Sequence, residues 1–266
     1  MQTTLITGAS SGIGESLAGH FAKGGSNLVL VARSEDKLKT LAKQLQKQHS
    51  VKVSVLPADL SKRGAPKKLA ASLNAQNIEL DVLVNCAGVL EHGHFVDNGA
   101  ASHQQMIDLN ITGLTSMLDV FLPGMVKRGA GRVLNVASIA SFQPVPSLAV
   151  YAASKAYVLS LTESLSEELK GTGVTITALC PGVTATNMLS SAQQKSEGLN
   201  LPGFIIGAVD EVAEQGYQAC IKGEVICVPG AINLAATMAG RATPKWLLRR
   251  VSGLVERYTA GKGTDE

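Results

Sequence analysis

Short apolar runs alternate with stretches of helical period along the whole chain. Residues 3–8 (TTLITG), 27–32 (NLVLVA), 80–88 (LDVLVNCAG), 131–138 (GRVLNVAS), 173–182 (GVTITALCPG) and 224–230 (EVICVPG) are brief and rich in Val, Ile and Leu. Gly, Pro or polar residues bound them, which predicts buried strands. Residues 51–59 (VKVSVLPAD) alternate apolar and polar positions, a further strand. Between these runs the period lengthens. Ile13, Leu17 and Phe21 stand four apart within 12–25, and Leu38, Leu41 and Leu45 stripe 34–49 behind a candidate N-cap at Ser34. Helices are also predicted over 65–76, over 100–127 with Met106, Leu109, Leu114, Met117, Leu118 and Phe121, over 151–170 ended by Gly171 and Gly173, and over 208–222.

Seven strands alternating with helices predict an α/β fold: a doubly wound, Rossmann-like parallel sheet with right-handed crossovers and helices on both faces. No linker or repeat divides the chain, so one domain is expected over 1–240, with 241–266 as an added tail. In such sheets ligands sit beyond the strand carboxyl ends, where strand order reverses. The distinctive residues fall there: TGASSGIG, AR, AD, NCAG, NVAS and CPG.

Composition narrows the classes. A chain of 266 residues with 45% hydrophobic and 17% charged residues buries a large core without staples. A net charge of +3 is too slight to argue for nucleic acid. Four cysteines, Cys86, Cys180, Cys220 and Cys227, are scattered without C-x-x-C spacing and suit reduced core thiols. His92 and His94 in EHGH have no matching ligand cluster, so no metal is expected. There is no basic leader and no run of about 18 apolar residues; a cytoplasmic chain that spans no membrane is the expectation.

The first turn carries the first chemistry. TGASSGIG sets Gly8, Gly12 and Gly14, with Ser10, Ser11 and Ile13 among them, directly between the first strand and the first helix. Glycines there let the backbone approach a pyrophosphate, whose charge the helix N-terminus holds. Gly8-Ala9-Ser10-Ser11-Gly12 also fits the hydrolase elbow G-x-S-x-G, but too little chain precedes Gly8 to build that fold. The second strand ends Val31-Ala32-Arg33. Ala32 cannot accept from a ribose 2′-hydroxyl, whereas the Arg33 guanidinium matches a 2′-phosphate, which favours NADP over NAD. Asp59, ending the third strand, suits an adenine amino group or an N-cap.

The second chemistry gathers at Ser138, Tyr151 and Lys155. A lone Tyr-x-x-x-Lys pair is a weak match. Here, however, Ser138 ends the fifth strand, and Lys155 follows Tyr151 by one helical turn on the same face. A phenol with pKa ~10 transfers protons poorly at neutral pH, and a nearby ammonium is expected to lower that value. The phenol then gives a proton to a carbonyl oxygen or takes one from an alcohol, while Ser138 hydrogen-bonds the same oxygen. Asn110, on the long helix, can hold a water that relays protons to Lys155.

Taken together, these residues resemble the short-chain dehydrogenase/reductase family, in its roughly 250-residue branch, over about residues 3 to 230. The motifs are T-G-x-x-x-G-x-G as TGASSGIG, Asp59-Leu60 after the third strand, N-N-A-G as NCAG, Asn110, Ser138, YAASK, and P-G-x-x-x-T as PGVTAT. The resemblance implies NAD(P)-dependent carbonyl reduction or alcohol oxidation. It implies Tyr151 as proton donor, Lys155 as the group that lowers its pKa and binds ribose, Ser138 at the oxyanion and Asn110 at a water. It extends cofactor contacts to Leu60, to Asn85, Ala87 and Gly88, and to Pro181, Gly182, Thr184 and Thr186. Cys86 stands where the family has a second Asn, and Thr184 where it often has Val or Ile.

Specificity is expected in a lid over 183–206. Met188, Leu189, Leu201, Phe204 and Ile205, with Ser138, Ile139, Val145, Pro146 and Leu148 opposite, describe an apolar pocket for a hydrophobic ketone, aldehyde or alcohol. The tail 242–258 aligns Leu247, Val251, Leu254, Val255 and Tyr258 on one helical face. Packing on the core or a sister subunit, a membrane surface met through 244–258, and an acidic acyl carrier all fit it. Family resemblance implies a homodimer or homotetramer through 100–127 and 151–170. A non-catalytic NADPH-binding sensor or scaffold is the alternative from another class; an epimerase of a longer branch is disfavoured by the glycine spacing and the length.

Overall fold

A computed structural model describes residues 1–184, 207–244, 246–250 and 253, with backbone only at 241 and 242. The strands are β1 (Thr3–Thr7), β2 (Asn27–Val31), β3 (Val53–Val55), β4 (Val82–Asn85), β5 (Gly131–Val136), β6 (Val174–Leu179) and β7 (Ile226–Cys227). The helices are α1 (Gly12–Lys23), α2 (Glu35–His49), α3 (Ala65–Ala75), α4 (Ala100–Ile107), α5 (Leu114–Arg128), α6 (Ala149–Glu168), α7 (Val209–Lys222) and α8 (Ala231–Ala242). The strands form one sheet in the order β3-β2-β1-β4-β5-β6-β7, every neighbouring pair parallel. Strand order reverses between β1 and β4, which opens a crevice at their carboxyl ends.

Pleating sends successive side chains to opposite faces, and both faces are buried. Leu5, Val29, Val31, Leu83 and Val133 join the core under α3, α5 and α6, with Leu73, Met117 and Val158. Ile6, Leu28, Leu30, Val84 and Leu134 join the opposite core with Leu17, Phe21 and Leu38 from α1 and α2 and Val212 from α7. This two-sided burial is why the strands read as predominantly apolar runs rather than as alternating ones.

Three elements depart from expectation. The helix expected over 100–127 is interrupted by a π-helical turn, Asp108–Gly113, between α4 and α5. By length and composition the span Ala100–Arg128 passes for a bilayer-crossing helix, but here Met106, Leu114, Met117, Leu118 and Met125 are buried in the protein. The strand expected over 51–59 shrinks to Val53–Val55 at the sheet edge, and that expected over 224–230 to Ile226–Cys227 at the other. Helix α8 has no counterpart in the periodicity, and it runs through the boundary expected after residue 240.

Candidate active site

The turn from β1 to α1 is built by close backbone approach. Gly8 (φ 70°) and Gly12 (φ 58°) adopt left-handed conformations. A Cβ on Gly14 would lie 2.4 Å from the Gly8 carbonyl oxygen, and one on Gly8 2.9 Å from Ala87. Thr7 fastens this turn to the end of β4: its hydroxyl donates to the Val84 carbonyl (3.2 Å) and accepts from the amides of Cys86 and Ala87 (both 3.0 Å). The sequence reading assigns Thr7 no role; its place before Gly8 in the glycine motif is the signal that could have found it.

From this turn a cleft of about 490 Å³ runs along the carboxyl ends of the strands. Its walls include Ser10, Ser11 and Ile13 at one turn, Arg33, Asp59 and Leu60 at the next two, and Ala87 and Gly88 after β4. Ser138, Ile139 and Val145 follow, then Tyr151 and Lys155, and finally Pro181, Gly182 and Thr184. Asp59 accepts from the Ser61 hydroxyl (2.6 Å) and amide (3.0 Å). The Ser61 hydroxyl, more than the Arg33 and Lys62 charges beside it, holds this carboxyl below its usual range. Asn85 stands apart from these walls. It is buried beneath the cleft and donates from Nδ2 to Asn135 Oδ1 (2.9 Å), tying β4 to β5.

Four side chains converge where β5 and α6 meet. Ser138 caps a short 3₁₀ turn, Ile139–Phe142, its Oγ accepting from the Ala140 amide (3.1 Å), and it also hydrogen-bonds Tyr151. Lys155, 6% exposed, donates from Nζ to the Val136 carbonyl (2.8 Å) and lies 5.7 Å from the centre of the Tyr151 ring. Asn110 sits in the π-helical turn. Its Oδ1 accepts from the Val89 amide (2.9 Å), and its Nδ2 donates to the Val89 carbonyl (2.9 Å) and to Ser154 Oγ (3.1 Å). Ser154 in turn donates to the Tyr151 carbonyl (2.7 Å). A Cβ on Gly88 would stand 3.2 Å from Asn110 Oδ1 and 3.5 Å from Lys155 Nζ, so both groups face this glycine.

Burial dominates the electrostatics. It pulls Lys155 down to about 8 and pushes the Tyr151 phenol up, against the hydrogen bond from Ser138. In the chain alone, the cost of burying a phenolate is the leading influence on Tyr151. The same desolvation raises Cys86, on the cleft wall, to about 12.

The cleft fits a dinucleotide. It opens at a glycine turn with no room for side chains and at the free amides of the α1 N-terminus, carries a cation at Arg33, and ends at a polar cluster. A family model described as short chain dehydrogenase matches residues 2–197. The chain belongs to that family.

Its relatives agree. An uncharacterized oxidoreductase of Staphylococcus epidermidis is 32% identical over 214 residues, spanning 79% of this chain and 91% of that protein. The very-long-chain 3-oxoacyl-CoA reductase of Rattus norvegicus is 30% identical over 251 residues, 91% of this chain and 76% of that protein. A short-chain dehydrogenase from Sphingobium yanoikuyae, solved in complex with NADPH, superposes with a TM-score of 0.81 at 33% identity, covering 91% of this chain and 93% of that one. Another from Burkholderia phymatum, in complex with NAD, gives 0.80 at 26% identity, covering 89% and 92%. The protein is thus an NAD(P)-dependent oxidoreductase of the short-chain dehydrogenase type.

In this short-chain dehydrogenase several cleft residues escape the sequence reading. Leu90, His92, Leu109 and Gln143 line the cleft from loops and from the π-helical turn, where no periodicity points to a wall. Asn233 of α8 stands against Gly182, its amide nitrogen 2.5 Å from where a Cβ would sit. Thr184 is buried, donates to the Gly182 carbonyl (3.0 Å) and pairs with Gly207 as an isolated parallel bridge. Thr186, Met188, Phe204 and the rest of 185–206 lie outside the described residues, as does most of the tail beyond 250.

Proposed function

We propose that this short-chain dehydrogenase reduces a hydrophobic ketone or aldehyde with NADPH, Tyr151 donating the proton. The observation that carries this reading is the hydrogen-bonded pair Ser138–Tyr151 beside Lys155, on the wall of the cleft that begins at Gly8–Gly14. NADPH, when bound, supplies the hydride. Gly8, Ser10, Ser11, Gly12, Ile13 and Gly14 would hold the pyrophosphate, Arg33 the 2′-phosphate, Asp59 and Leu60 the adenine, and Lys155 the ribose.

The remaining steps belong to the chain. Burial keeps Tyr151 in its neutral form at neutral pH, the state required of a donor. The phenol protonates the carbonyl oxygen as negative charge develops there, and the Ser138 hydroxyl donates to the same oxygen. The phenolate left behind is stabilised by the Lys155 ammonium. Both amide hydrogens of Asn110 are committed, but Oδ1 keeps a second lone pair toward Gly88, where Lys155 also points. A water held there would return a proton through Lys155. Asn85 is proposed to act by bracing β4 against β5 rather than by touching the cofactor.

Two comparisons support the substrate and cofactor choices: one relative reduces 3-oxoacyl thioesters by name, and one solved neighbour holds NADPH. The apolar walls Ile139, Val145 and Leu148 favour a greasy carbonyl. The test is a panel of apolar ketones, aldehydes and β-ketoacyl thioesters followed by NADPH absorbance. Tyr151→Phe should lower turnover by about 10²- to 10⁴-fold with NADPH binding retained. Unchanged turnover in that variant would remove the assigned proton donor.

A further inference from the structure

Helix α8 carries its polarity inside out. From 231 to 240 its polar side chains, Asn233 and Thr237, share one face with Gly240 at four- and three-residue spacing, and that face turns inward. Thr237 is 7% exposed, Asn233 donates to the Pro229 carbonyl (2.8 Å), and Gly240 lies against Gln143. The outward face is apolar. Ile232 is 74% exposed, Met238 64% and Leu234 46%, with Ala231, Ala235 and Ala239 exposed among them. No polar side chain interrupts this face from 231 to 240. Past Pro244 the exposed apolar surface resumes at Trp246 and Leu247, followed by exposed Arg249 and Arg250.

An exposed patch of this kind is uncommon on a soluble monomer and marks a contact surface. Charge identifies the partner. From Val225 to Val255 the sequence has four basic residues, Arg241, Lys245, Arg249 and Arg250, and no Asp or Glu. We propose that α8 and the helical residues 246–250 after Pro244 dock on an anionic lipid surface. The α8 face enters the acyl boundary, Trp246 sits at the headgroup level, and Arg249 and Arg250 meet the lipid phosphates. A two-fold pairing with a second copy is disfavoured, because it would set an all-basic segment against itself without a carboxylate to answer it. The inward face of α8 touches Gly182 and Gln143, both walls of the cleft. On the reading of the substrate given above, docking places the cleft beside the phase into which an apolar carbonyl compound partitions.

The experiment is flotation of the full-length chain with vesicles of phosphatidylcholine alone or mixed with phosphatidylglycerol, at low and high salt. The protein should float with the anionic vesicles, and less so at high salt. Ile232→Glu with Met238→Glu should cut binding by about tenfold or more, through loss of inserted apolar area. Arg249→Gln with Arg250→Gln should cut it by about thirtyfold on anionic vesicles only. No flotation of the wild type, or equal flotation of the Glu variant, overturns the proposal. A fall in the solution mass of the Glu variant, with no vesicle binding by the wild type, assigns the face to a second copy and also overturns it. NADPH affinity and turnover of a water-soluble ketone report separately: wild-type flotation without turnover would refute the reductase reading and leave the docking intact.

Discussion

Burial sets the charge states of the reactive side chains. Lys155 titrates near 8 in the folded chain against 10.5 for a free lysine. Below pH 8 it is charged in both folded and unfolded states, and the folded state carries the full desolvation cost. Between 8 and 10.5 the folded chain alone releases the proton, so this group's contribution to stability rises with pH through that window. Cofactor binding has the opposite sign, since a pyrophosphate-bearing ligand favours the ammonium. NADPH affinity should therefore hold up to about pH 8 and weaken as pH rises above it, and Lys155→Met should bind more weakly and lose that inflection; fluorescence titration across pH checks both. Arg33 is tested at the same scale. Losing a charge-assisted contact to a 2′-phosphate costs about 10- to 100-fold in affinity. Arg33→Ala should weaken NADPH by that amount and NADH little, and equal losses would contradict the cofactor choice.

At the scale of elements, two tight joints position the site. One is the β1–α1 turn, where Gly14 meets the Gly8 carbonyl. Gly14→Ala forces the first turn of α1 off the loop, at a cost of about 1–3 kcal/mol for overpacking. Thermal unfolding should show that loss, and NADPH binding should fall more than it does for substitutions on the outer face of α1. The other joint is the π-helical turn. A widened turn at residues 108–113 lets the Asn110 side chain reach Val89 and Ser154 together, and π-bulges recur at functional sites for this kind of reason. Gly113 closes against the Leu60 carbonyl oxygen, 2.7 Å from a would-be Cβ, which joins this turn to the strand end bearing Asp59.

The whole molecule has two cores separated by one sheet, and the central strands contribute to both. Neither core can open without stripping the other, so the domain should unfold in one transition. Leu83→Ala removes a side chain with no exposure and should cost about 2–5 kcal/mol. NADPH at about a hundred times its dissociation constant should restore about 2.7 kcal/mol of that, again as one transition in calorimetry. Two resolved transitions would show that the chain divides, against the single unit expected over 1–240.

Local chemistry and periodicity encode the alternation of strands and helices, the glycine turn, and the types of Tyr151, Lys155, Ser138 and Arg33 at element ends; these are legible in the amino-acid order alone. The central strands are legible because helices cover both faces of the sheet, which leaves few polar positions in their apolar runs, Thr7, Asn85 and Asn135 among them. Edge strands β3 and β7 are overread for the same reason, since pairing on one side sustains fewer ladder bonds than the apolar run suggests. Which distant groups share a neighbour is a matter of tertiary packing. Asn110 with Val89, Thr7 with Cys86, and Asn233 with Gly182 are set by strand order, which no single segment records. Packing also sets the direction of the Tyr151 shift, because desolvation depends on everything around a group and not on the lysine one turn away. The outward apolar face of α8 belongs to the same class: the composition of the helix is in the sequence, but which side meets solvent is a property of the packed molecule.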